Sequence, residues 1–211
     1  MARKELSKDE AIALTRGPYA DVLEKTLGRS IAPFLWREWN EEGIERIRNG
    51  TVFFVSADRP FAVTADHVLD QHLKARAQFG YDARCQLGDL QIDIEDRLIA
   101  RNRILDIATF AITPHEVERS APGEGKFAMS FEPTPPQIER GVLFAGFPAR
   151  ERRFLSASEI ESGIYTALTV AHNVSDRQIS VVSFGSDRWR SQVGQPHLSA
   201  MTLPASAEVR S

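Results

Sequence analysis

Cysteine is all but missing from this chain: Cys85 is the only one in 211 residues. A lone thiol cannot staple a fold, so stability has to come from core packing. The opening Met-Ala-Arg-Lys-Glu-Leu-Ser-Lys offers no apolar stretch of the kind a secretory signal needs. Together these point to a reducing, cytoplasmic setting. Long apolar runs are missing too. Segments such as Thr51–Ser56 and Val142–Phe147 are far too short to span a bilayer, so no membrane protein is expected. Nor does either sign of charge dominate. With 26 Lys and Arg against 29 Asp and Glu the net charge is −3, no basic face is indicated, and nucleic acid is not an expected partner. Phosphate-binding glycine loops, paired cysteines and His-Glu-x-x-His are all absent, so no nucleotide or zinc cofactor is expected. Asp66, His67, Asp70 and His72 do lie close together. Histidines five apart diverge from a common helix face, however, and a metal site is not expected there either.

What is present suits a folded chain. Hydrophobic residues make up 42% and charged residues 26%, and the length fits one domain or two small lobes sharing a core. Residues 1–49 read as an N-terminal helical segment. Ser7 and Glu10 have the spacing of a capping box, and Tyr19–Leu27 and Trp36–Ile47 carry apolar residues three to four apart. Gly17-Pro18 and Pro33 divide that segment into short helices. From Thr51 the pattern changes to short β-branched and aromatic runs, first Thr51–Ser56 and then Pro60–Thr64. A helix is predicted over Val68–Phe79. Further strands are predicted at Cys85–Ile94, Leu98–Ala100, Ile107–Ile112, Phe127–Phe131, Gly141–Phe147, Ile160–Val170 and Gln178–Phe184. So many short strands predict a mainly β barrel or sandwich rather than a parallel α/β sheet. The proline-rich Glu132–Gln137 stretch divides it into a first lobe, 50–131, and a second, 132–211. Cys85, inside one of the alternating strands, is expected to be a packed residue and not a nucleophile.

Two segments could carry chemistry. Val63-Thr64-Ala-Asp-His67-Val68 sets a histidine just beyond the end of a strand, and Ile104-Leu105-Asp106-Ile107-Ala-Thr-Phe-Ala-Ile112 sets an acid at the mouth of an apolar strand. An imidazole and a carboxylate at strand ends are what acyl transfer needs, since the acid fixes the tautomer and the imidazole takes the proton of a nucleophile. Here the chain resembles the trypsin-like serine peptidases, in particular their short, disulfide-free bacterial members. Thr64-Ala-Asp-His67 is similar to that family's Thr-Ala-Ala-His, and Asp106-Ile-Ala-Thr-Phe-Ala is similar to its Asp-Ile-Ala-Leu-Leu strand. Gly141-Val-Leu-Phe-Ala-Gly-Phe-Pro148 resembles the second-barrel strand that ends in Gly-Tyr-Pro. The likeness runs from about Gly50 to Pro148. It implies a double β-barrel, His67 as general base, Asp106 as its orienting acid, and a polypeptide substrate.

The family's third signature, Gly-x-Ser-Gly-Gly, does not occur. Gly185-Ser186-Asp187-Arg188 has its glycine in the wrong place, Ser183 and Ser199 lack glycine neighbours, and only 12 residues follow Ser199. The second barrel is therefore expected to be incomplete and the chain as it stands inactive. Codons straddling Met201–Ser211 do permit Asp-Leu-Ala-Gly-Ile-Ser-Gly-Gly-Pro-Val when wobble bases are chosen freely, so a one-base slip upstream is a natural source of this tail. The alternative is a non-catalytic module on the same fold that binds a protein partner, because a scaffold does not dictate its function. An unrelated all-β ligand-binding domain is the third reading, favoured if His67 and Asp106 lie far apart.

Overall fold

The structure, a computed structural model, describes residues 18–121, 126–130, 137–156, 159–175, 179–181 and 200–202. A first helix, α1 (Pro18–Gly28), leads into β1 (Ile31–Trp39) and β2 (Glu45–Val55), which pair antiparallel from Ile31↔Phe53 to Trp39↔Glu45. The helix predicted over Trp36–Ile47 is thus a β-hairpin. Its turn is built by Asn40, whose Oδ1 accepts from the N–H groups of Glu42 and Ile44 at 3.1 and 2.8 Å. The misreading has a physical cause. Ile31 through Arg37 are all buried, so β1 is covered on both faces and shows no alternation of apolar and polar residues. The β lobe accordingly begins at Ile31 and not at residue 50.

The chain continues through β3 (Phe61–Thr64), α2 (Asp66–Phe79), the hairpin of β4 (Cys85–Leu87) and β5 (Leu90–Ile92), then β6 (Leu98–Asn102), β7 (Ile107–Ala111) and α3 (Pro114–Arg119). These seven strands form one curled half-barrel sheet in the order β5-β4-β1-β2-β3-β7-β6. The single strand expected over Cys85–Ile94 is split because Gly88, at φ +55°, turns the chain; a side chain there would meet the Ser120 carbonyl. Helix α2 fills the sheet, placing Leu69, His72 and Ala75 against Phe34, Trp36, Phe54 and Phe110 in one core cluster. Its docking depends on Gly50 in β2, where a Cβ would collide with Cγ1 of Val68. Helix α3 closes the end of β7 with the capping box that Thr113 and Glu116 form.

Beyond residue 137 the described strands form two small antiparallel sheets. One is β13 (Ala200–Thr202), β10 (Glu159–Ser162) and β9 (Arg152–Phe154); the other is β12 (Ile179–Val181), β11 (Tyr165–Val174) and β8 (Gly141–Gly146). The run expected as one strand over Ile160–Val170 breaks at Gly163 and Ile164, and the described residues 127–130 of the run expected at Phe127–Phe131 contribute a bridge between Met129 and Val55. Ile160 packs with Leu35 and Ile47 on the back of the first sheet. Three hydrogen bonds reinforce that contact: Asn49 Nδ2–H to the Phe147 carbonyl at 2.5 Å, Phe147 N–H to Thr51 Oγ1 at 2.9 Å, and Arg152 to the Ile47 carbonyl at 2.6 Å. The fold is mainly β. Among the described residues no helix is long and apolar enough to cross a membrane. The Ser7–Glu10 capping box and most of the proline-rich boundary lie outside the described residues.

Candidate active site

Sheet register brings His67 and Asp106 together. Strands β3 and β7 run antiparallel with Thr64 opposite Ala108, so the residues just after β3 and just before β7 emerge side by side. The end of β3 is fixed further by the Thr64 hydroxyl, which donates to the Thr51 carbonyl at 2.8 Å. The β6–β7 turn is shaped by Asn102, whose Oδ1 accepts from Ile104 N–H and Leu105 N–H, both at 3.0 Å. It ends with Asp106 in the left-handed region at φ +53°, a conformation that short polar residues tolerate better than most.

That conformation aims the carboxylate at the start of α2. Ala65 occupies the cap position of the helix with no side chain able to accept from the first turn. Asp106 acts in its place across the fold: Oδ1 accepts from the backbone N–H of His67 at 2.9 Å, while Oδ2 meets ring Nδ1 of the same residue at 2.7 Å. The His67 N–H, opposed by partial burial and aided by the ring contact, holds the Asp106 carboxyl below the usual carboxylate range. An ionised carboxylate can only accept, so in the neutral imidazole it is Nδ1 that carries the proton and Nε2 that offers a lone pair. Both side chains remain open, His67 61% and Asp106 49% exposed. A proton acceptor at the surface, its tautomer fixed from behind, is what the pair provides.

The other residues singled out by the sequence go elsewhere. Asp66 is buried and turned from the imidazole toward Arg101, which donates to it through Nε at 2.6 Å and Nη2 at 3.1 Å. Asp70 pairs with Lys74 at 2.7 Å and with Arg101 at 3.3 Å. His72 points into the core, its ring 5.5 Å from Phe34 and 6.0 Å from Trp36. The four residues weighed as metal ligands therefore do not converge. Cys85 is buried, its thiol donates to the Ile92 carbonyl at 3.2 Å, and burial pushes its ionisation far above the usual thiol range, so it is no nucleophile. Ser183, Ser186 and Ser199 lie outside the described residues. Arg101 is the site residue that sequence reasoning missed. Its partner stands 35 positions away, and no local pattern signals such a pair. No protein-family model matches this chain, and no match is found among curated proteins.

Proposed function

We propose that the chain is a trypsin-like serine endopeptidase scaffold, a double β-barrel with an incomplete second barrel, in which His67 is the general base and Asp106 its orienting acid. The observation that carries the reading is the 2.7 Å contact from His67 Nδ1 to Asp106 Oδ2, doubled by the 2.9 Å bond from the His67 backbone to Oδ1. In the complete reaction Nε2 would take the proton of a serine hydroxyl as that oxygen attacks a peptide carbonyl, and return it to the leaving amine. No Gly-x-Ser-Gly-Gly segment is present to supply the hydroxyl or the backbone N–H groups that hold the oxyanion, so hydrolysis by these 211 residues is expected to be negligible. The buried, unpaired Cys85 fits a reducing, cytoplasmic setting.

The test compares two proteins with a fluorophosphonate probe. The 211-residue chain should remain unlabelled. A chain expressed with the reading frame shifted by one base ahead of Met201 should be labelled on its new serine, and His67→Ala should abolish that labelling. Stoichiometric labelling of the original chain, or a restored chain that stays inert, would overturn the proposal. A second reading, a binding module for a protein partner on the same fold, is favoured by the missing nucleophile segment. It predicts that the restored frame spells no serine between glycines.

A further inference from the structure

Among the described residues, three carboxylates stand near His67 in the chain or the fold, and Asp106 is the one whose contact with it is seen. Asp66 is the chain neighbour of His67, and Asp70 stands three positions on along α2, the spacing at which helical side chains face one another. Either could draw the imidazole away from Asp106. Arg101 occupies both: its guanidinium takes Asp66 through two nitrogens, at 2.6 and 3.1 Å, and reaches Asp70 with Nη2 at 3.3 Å. Arg103 adds to this from the same hairpin, 3.6 Å from Asp70 and 4.0 Å from Asp66, and Lys74 holds Asp70 from the helix side. The charged groups around the imidazole are thus Asp66, Asp70 and Lys74 from α2, and Arg101, Arg103 and Asp106 from the β6–β7 hairpin. Asp106 is the carboxylate that no arginine occupies in this network.

The two cross-links also run in opposite directions. The hairpin donates to the helix at Arg101 and accepts from it at Asp106, so the first turn of α2 is tied to the hairpin at two points. Burial cannot do this work for His67 itself, whose side chain is mostly exposed.

Resting on the base–orienter reading above, we propose that Arg101 is a positioning residue of this site: by sequestering Asp66 and Asp70 it leaves Asp106 as the sole carboxylate for His67 and fixes the imidazole in the Nδ1–H form. The planar fork matters, because a point charge cannot hold one carboxylate at two atoms and a second one besides.

Long-range proton–nitrogen correlation spectra of the full chain in mildly alkaline buffer read the tautomer of His67 directly, without any turnover. The parent should show Nδ1 protonated. In Arg101→Met the ratio of Nε2–H to Nδ1–H should rise about fivefold, the factor that one ordinary hydrogen bond represents. Arg101→Lys should recover only part of the loss. If Arg101→Met does not fold, Arg101→Lys, which keeps the charge but not the fork, should itself show the partial rise. A folded Arg101→Met, or failing that a folded Arg101→Lys, with the parent's tautomer overturns the role of Arg101 while leaving the base–orienter pair intact. A parent chain with mixed tautomers overturns both.

Discussion

His72 is a buried base. Burial, reinforced by nearby Arg76 and opposed by Asp93, pushes its imidazole down from 6.5 to about 4, and its Nδ1 has no hydrogen-bond partner among the described residues. A depressed base favours the neutral form in the folded state. The unfolded chain therefore takes up the proton first, and stability is complete above pH 6.5 and lost as the pH falls toward 4. The span corresponds to about 3 kcal/mol, at 1.36 kcal/mol per pH unit. Urea midpoints at pH 7.5 and 4.5 should differ accordingly, and His72→Leu should flatten the difference, since it removes the titrating group. Asp106 obeys the opposite chemistry in a lower window. Its depressed carboxyl stabilises the fold above the ordinary carboxylate range, and that contribution is lost as the pH falls through its lowered folded value.

Among elements, the contact of α2 with β2 is the most sharply fitted. Gly50→Ala puts a methyl group into Cγ1 of Val68 and is expected to cost about 2 kcal/mol, within the usual range for overpacking. Val68→Ala in the same chain should restore part of that loss, and the interaction energy from denaturant unfolding of the four proteins checks it. Elements were readable where one face meets solvent or where a turn residue punctuates the chain. Strands β3 and β7 and helix α2 stand nearly where alternation and helical spacing put them. So do His67 and Asp106, because both sit at ends of those elements. Strand β1 was not readable: with Leu35 buried on one face and Phe34 and Trp36 on the other, its run of apolar residues has no period of two. The Asp66–Arg101 pair and the capping of α2 by Asp106 are also invisible in the chain, since each joins residues more than thirty positions apart.

At the scale of the molecule, among the described residues, the later strands meet the seven-stranded sheet through a small apolar contact and a few hydrogen bonds. Ile160 is the fully buried member of that contact contributed by β10. Ile160→Ala should cost about 3 kcal/mol, as large-to-small changes in packed sites do. Amide exchange should accelerate in β10 and in the part of β2 around Ile47, while amides of α2 keep their protection; equal acceleration throughout would mean that the two regions open as one unit. Thr51 adds a link of another kind. Its hydroxyl accepts from Phe147 and its carbonyl accepts from Thr64, so Thr51 in β2 links the residue after β8 to the end of β3, three positions before His67.

Half of what Asp106 does is blind to the identity of its partner. The bond to the main chain at position 67 survives any substitution there except proline, and it closes the first turn of a helix that the core requires. Selection for a stable fold is therefore enough by itself to preserve this acid. Under the proposed function, a lineage drifting away from chemistry would be free to lose the imidazole before the acid.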